Sequence, residues 1–187
     1  SLHDALPISI TMMFAADLVA KSYLDYATKA DVLAAGQLRM LERFGVTHVS
    51  MISDPCVESS DLGASIIYYE DSPPANTEED ALLKDKTRFE NLESIEPSRG
   101  PRMHNRLEAV RLLSERTSGE VLVEGWVEGP CAEAADLRGL NRFMMDFMDD
   151  PGFVNSLLDF IAELEIRFAL EQLRAGADII GIGDAAS

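Results

Sequence analysis

Positive charge, cysteine, histidine and long apolar runs are all scarce in this chain, and each scarcity closes off a class of function. Sixteen Lys and Arg stand against 33 Asp and Glu, for a formal net charge of −17 over 187 residues. A surface of that sign repels phosphate backbones, so nucleic acid is not an expected partner. The two cysteines, Cys56 and Cys131, are far apart and lack C-x-x-C spacing. They offer no disulfide framework and suit a reducing, cytoplasmic compartment. The three histidines, His3, His48 and His104, make no H-E-x-x-H or H-x-C, so no metal site is expected in this chain. The apolar run over 175–182 is broken by Asp178 and falls far short of the ~20 residues a bilayer span needs. Nucleotide signatures are missing too, since no G-x-G-x-x-G follows a strand and no G-x-x-x-x-G-K-[ST] occurs.

What remains is an ordinary globular composition, 47% hydrophobic and 26% charged. Residues 1–9 (SLHDALPIS) do not match the remainder of the chain. They have neither the charged nor the apolar region of a signal peptide, and are expected to be a non-native leader. Residues 10–187 are expected to form the N-terminal part of one domain whose C-terminal half is missing.

Periodicity predicts a helix over 29–44, with Val32, Leu33, Met40, Leu41 and Phe44 on one stripe and Gly45 as its stop. A buried strand is predicted over 46–53, ending at Asp54-Pro55. A second β-rich run, 64–69, reads as an excursion rather than a member of the main sheet. Residues 75–100 read as a long decorated loop. Met103, Leu107, Val110 and Leu113 step along a helix ending near Ser118-Gly119, and a strand comes next over 120–127. Asp150-Pro151 is a helix start, an acidic N-cap before Pro at the first position. Val154, Leu157, Leu158, Ile161, Leu164 and Phe168 form that helix's apolar face, Gly176 ends it, and another buried strand is predicted over 177–182. Repeated helix, glycine turn and continuous apolar strand make an α/β pattern with a parallel sheet, either doubly wound or a closed barrel.

Each predicted strand is succeeded by an acid: Asp54, Glu128 and Asp184. In a barrel the C-terminal strand ends surround one pocket, where facing acids shift one another's pKa and become candidates for proton transfer. A strand-end Asp also serves as a helix cap, so one alone says little, whereas three together favour a site. Trp126 sits near the end of the second strand, where a lone Trp is more often core than ligand platform. Asp136 and Arg138 lie in the next loop, and a surface ion pair would explain them equally well. Cys56 is expected to be a buried structural thiol.

Three stretches, taken together, resemble the uroporphyrinogen decarboxylase superfamily. They are Ile52-Ser53-Asp54-Pro55 continuing to Asp61-Leu62-Gly63, then Gly125-Trp126-Val127-Glu128-Gly129-Pro130 leading into Ala134-Ala135-Asp136-Leu137-Arg138-Gly139, and finally Ala175-Gly176-Ala177-Asp178-Ile179-Ile180 leading into Gly183-Asp184. The resemblance implies a (β/α)8 TIM barrel, of which this chain is about the first half. In the decarboxylases the Asp matching Asp54 grips pyrrole N–H groups. Two departures point away from that activity. The region 9–22 has no arginine where those enzymes carry R-Q-A-G-R, and Asp136 replaces their active-site Tyr.

The chain is more similar to the corrinoid-linked methyltransferase branch. That resemblance implies methyl transfer from a corrinoid protein or methylcobalamin to a small thiol, and a possible homodimer. It also implies a zinc ion held by an H-x-C…C set in the missing half. Asp54 and Asp184 would be catalytic, while Trp126, Glu128, Asp136 and Arg138 would bind substrate. The alternatives are uroporphyrinogen decarboxylation in porphyrin biosynthesis, or a non-catalytic half-barrel acting as a binding module.

Overall fold

The computed structural model describes residues 11–185; the expected leader over 1–9 lies outside them. The helix expected over 29–44 forms as Ala30–Phe44 (α3), with Val32, Leu33 and Met40 buried. Gly45 ends it at φ 60°, the left-handed conformation that a Cβ disfavours. Two short helices, Met12–Leu18 (α1) and Tyr23–Thr28 (α2), pack against α3. Ser22 caps α2 by accepting the Asp25 N–H.

The first strand is only His48–Ser50 (β1), shorter than the run expected over 46–53. Local side chains explain the difference. The Ser50 hydroxyl accepts the Ile52 N–H at 3.2 Å, and the Tyr26 and Tyr23 hydroxyls donate to the carbonyls of Ile52 and Ser53. Backbone groups captured in this way are withdrawn from a sheet ladder. His48 is buried on the strand, as a core histidine would be.

After Val57–Asp61 (α4) the β-rich run over 64–69 makes only one bridge, Ile67 to Ala75. The long loop holds two 3-10 turns, Glu78–Asp80 and Lys86–Asn91. Pro101–Thr117 (α5) starts under the carboxylate of Asp61, which accepts the N–H groups of Arg102 and Met103 at 3.0 and 2.8 Å. Gly100 permits that approach, because a Cβ there would collide with Asp61 Oδ2.

Leu122–Glu128 (β2) runs into Pro130–Arg138 (α6) and Leu140–Asp149 (α7). Pro151–Ala175 (α8) begins as expected, with the Asp150 carboxylate accepting the Phe153 N–H, and ends at a left-handed Gly176. Ile179–Gly183 (β3) closes the described sheet.

The three strands lie in the order β1-β2-β3, both pairs parallel, with His48 opposite Leu122 and Glu124 opposite Ile179. The helices between them carry the parallel crossovers and cover the sheet. Leu33, Leu107, Val110, Leu113, Phe143 and Phe168 lie in the core they enclose. β3 lies at the edge of the described sheet, and Ile182 is 65% exposed because no described strand pairs beyond it. Among the described residues no helix is long and apolar enough to cross a membrane.

Candidate active site

Parallel strands bring their C-terminal ends to one side, and there the chain turns through Asp54-Pro55, Gly129-Pro130 and Asp184. A cleft of about 370 Å³ opens at this end, with Pro55, Glu78, Glu128, Asp136, Leu140 and Ala185 among its walls. Three of its lining side chains are acids, and none of the described ones is Lys or Arg. Of the six residues that the sequence singles out, two, Glu128 and Asp136, line this cleft directly.

Glu128 is buried, and the Trp126 indole Nε1 donates to its Oε1 at 3.0 Å. Burial pushes its pKa up to about 7; the Trp126 hydrogen bond opposes this, while the charges of Asp136, Asp54 and Asp184 add to it. Trp126 is therefore a support for Glu128 rather than a wall of the cleft. Its ring lies over two glycines of β3: a Cβ on Gly181 or Gly183 would come within 2.5 or 2.7 Å of it. Asp136 is pushed up to about 6 by burial, and the Asn76 side chain donates to its backbone carbonyl at 2.9 Å.

Asp184 is not among the residues lining the cleft. Its Oδ1 accepts the Ala132 N–H at 2.9 Å, which ties the end of β3 to the first turn of α6. A Cβ on Gly129 would collide with its carboxylate, so that glycine makes the approach possible.

Asp54 is buried and heavily engaged. Arg102 Nη2 and Ser53 Oγ donate to its Oδ2 at 2.5 and 2.7 Å, and the Cys56 N–H reaches its Oδ1 at 3.2 Å. Arg102 Nη1 continues to the Ala27 carbonyl. Arg106 lies fully buried beside this pair, its pKa lowered to about 10 by burial and by the Arg102 charge. Cys56 is a buried thiol that burial pushes up, with Asp136 and Asp54 adding to the effect.

Arg138, expected to bind substrate, is not among the residues lining the cleft. It is buried, its Nε donates to Asp146 at 2.7 Å, and its Nη1 donates to the carbonyls of Leu83 and Lys84 at 2.7 Å each. The guanidinium fork suits this job, joining α6, α7 and the long loop. Burial would raise Asp146, but Arg138 and Lys86 outweigh that and hold it below the usual carboxylate range.

Sequence reasoning missed Glu58, Glu133, Glu165 and both buried arginines of α5. Glu58, Glu133 and Glu165 are all buried near Glu128. A signal existed: Glu165 falls four residues after Ile161 and Gln172 four after Phe168, both on the apolar stripe of α8. Gln172 uses that place to grip β2, bonding both the N–H and the carbonyl of Trp126.

Among the described residues no group of three His, Cys, Asp or Glu is arranged to hold a metal ion.

A three-stranded parallel α/β sheet with an acid-lined cleft at its C-terminal end defines the class: an α/β scaffold with a candidate site at the strand ends. Residues 5–187 match the family model of uroporphyrinogen decarboxylase (URO-D), and the chain belongs to that family. Its relatives include the methylcobamide:CoM methyltransferase MtaA of Methanosarcina barkeri, 35% identical over 78 residues, which are 42% of this chain and 23% of that protein. The uroporphyrinogen decarboxylase of Brucella anthropi is 28% identical over 174 residues, 88% of this chain and 48% of that protein. A solved methyltransferase from Methanosarcina mazei shares the fold, with a TM-score of 0.85 and 23% identity over 97% of this chain and 54% of that one. The chain thus spans no more than about half the length of the curated relatives it matches.

Proposed function

We propose that this chain is about the first half of a (β/α)8 barrel that moves a methyl group from a corrinoid to a small thiol. The observation that carries this reading is the sign of the cleft: Glu78, Glu128 and Asp136 line it without a Lys or Arg. A porphyrinogen bearing many carboxylates would be repelled there. The state of Asp54 supports the same choice. An acid that grips pyrrole N–H groups needs free acceptor capacity, and here Arg102, Ser53 and the Cys56 amide already occupy three of its roughly four acceptor sites.

In the reaction the thiol sulfur forms a bond to the methyl carbon as the cobalt–carbon bond breaks, and the S–H proton leaves. Glu128, raised by burial to about 7, is matched to receive that proton near neutral pH. Asp136 faces the same space and orients the acceptor. Trp126 holds Glu128, Asp184 fixes the start of α6, and Arg138 braces the wall from behind. The zinc that family resemblance implies does not fit the described residues, so its ligands would have to come from elsewhere in the protein. A corrinoid protein would dock over the cleft, presenting the methyl group.

Methyl transfer from methylcobalamin to a panel of thiols by the full-length protein tests the reading. Thioether formation is expected. Consumption of uroporphyrinogen without thioether formation would move the assignment to the decarboxylase, whose Brucella representative aligns over 88% of this chain.

A further inference from the structure

The flank of β2 that meets β1 is completed by side chains. Alternate residues of a parallel strand send their backbone groups to opposite neighbours. The Val123 carbonyl and the Gly129 N–H bond to Asp178 and Gly183 on the β3 side, whereas the Glu124 carbonyl accepts the Met51 N–H on the other. Trp126 and Glu128 share the direction of Glu124. The ladder from β1 ends with Ser50 opposite Glu124, yet β2 runs on to Glu128. Gln172 of α8, fully buried, takes over there: its Oε1 accepts the Trp126 N–H at 2.7 Å and its Nε2 donates to the Trp126 carbonyl at 2.8 Å. Glu58 of α4, also buried, accepts the Glu128 N–H at 3.3 Å.

The amide of Gln172 reaches the strand because its neighbour there is glycine. A Cβ on Gly125 would come within 2.5 Å of Gln172 Oε1. This part of β2 carries the acid of the cleft, since Trp126 Nε1 donates to the Glu128 carboxylate and Glu128 lines the space. One amide that satisfies both backbone groups of Trp126 fixes the strand at that residue, and with it the indole and the acid.

We propose that Gln172 and Glu58 are positioning residues for Glu128, standing in for the rungs that β1 does not supply and holding Glu128 at the cleft through the backbone of β2 and the indole of Trp126. The placement of Glu128 is independent of the chemistry, whereas its use as the acceptor of the thiol proton rests on the methyl-transfer reading. Loss of the Gln172 grip has two consequences. The Trp126 hydrogen bond, which favours the charged form of Glu128, weakens, so the carboxyl keeps its proton to higher pH. The carboxylate also leaves the position from which it meets the thiol, and proton transfer depends steeply on that geometry.

Trp126 is the sole tryptophan of the sequence, and its bond to Glu128 makes its emission a reporter of that acid's ionisation. In the full-length protein, the part of the emission titration that Trp126→Phe abolishes is followed across neutral pH. The wild type is expected to show a midpoint near 7. Gln172→Met, close in volume and unable to make either bond, should move that midpoint up by about one pH unit. In the methyl-transfer assay it should lose about tenfold in kcat with KM unchanged. Glu58→Leu should shift the midpoint the same way by less. Glu58→Gln keeps an acceptor for the Glu128 N–H and should behave as wild type, and this pair decides the matter if Gln172→Met does not fold. A wild type whose Trp126 emission does not titrate, or a folded Gln172→Met whose midpoint stays in place, overturns the proposal. A midpoint that shifts while kcat does not, or that shifts in a protein transferring no methyl group, leaves the placement standing and overturns the part given to Glu128 in methyl transfer.

Discussion

Two buried charged regions share the space around β2, and they are composed in opposite ways. Between β1 and α5, Asp54 is matched by Arg102, with Arg106 and two tyrosines beside it. Between α4, α6 and α8, Glu58, Glu133 and Glu165 face one another and, among the described residues, no cation. The first region is held by permanent charges in fixed geometry, the second by protons that can come and go. A scaffold gains rigidity from the first kind of pairing and pH dependence from the second.

Breaking the permanent pair should have the largest effect. Arg102→Met leaves Asp54 buried without its cation, which typically costs about 3–5 kcal/mol. Denaturant unfolding of the full-length protein should show that loss; a loss below about 1 kcal/mol would mean that Asp54 finds another partner or takes a proton. Arg138→Met is expected to cost less, about 1.5–3 kcal/mol, because Lys86 Nζ remains 2.9 Å from Asp146. Since Arg138 braces the wall, its loss should leave KM unchanged in the proposed methyl-transfer reaction. A large rise in KM would return Arg138 to the substrate contact expected from sequence.

The proton-held region makes a prediction of opposite sign. For Glu58, Glu133 and Glu165 the folded pKa lies above the unfolded value, so the native state binds more protons than the unfolded one. Their contribution is complete at pH values below the unfolded carboxylate pKa, and is lost as pH rises through the folded values near 8 and 9. Stability should therefore fall between about pH 5 and pH 9. Glu133→Gln should flatten that fall, adding about 1–3 kcal/mol at pH 9 while changing little at pH 5. A variant whose stability runs parallel to wild type across this range would show that Glu133 is not protonated.

Much of the fold is legible in the sequence, and the parts that escape it have a physical pattern. Helix limits such as Gly45, Gly176 and Asp150-Pro151 are readable because capping chemistry is local. The parallel sheet is readable from apolar runs alternating with amphipathic helices. β1 is shorter than its apolar run because the hydroxyls of Tyr23 and Tyr26, distant in sequence, take its backbone groups. Glu128 and Asp136 are legible because strand ends point at the site. Glu133 is not, since an acid on a helix normally means solvent and only its tertiary neighbours show otherwise, while Glu165 leaves one trace, its place on the apolar stripe of α8. Asp136 and Arg138 lie on α6 and not in the loop expected there, and Arg138 is outside the cleft lining because its partners Leu83, Lys84 and Asp146 come from two other segments.

The smallest expected effect tests the part of the chain where sequence and structure agree most directly. Asp150 is a half-buried acid whose carboxylate accepts the Phe153 N–H at 3.2 Å and also receives Lys86 Nζ at 3.0 Å. Its two roles differ in what replaces them. A side-chain amide can still cap a helix, whereas it cannot pair with an ammonium group. Asp150→Asn should therefore melt close to wild type, and Asp150→Ala should melt a few degrees lower, with both differences insensitive to salt. If Asp150→Asn falls as far as Asp150→Ala and the loss shrinks in high salt, the Lys86 pair rather than the cap fixes the start of α8. The permanent-charge network around Asp146 would then extend to the surface, and the contrast with the proton-held glutamates would run through the whole α7–α8 face.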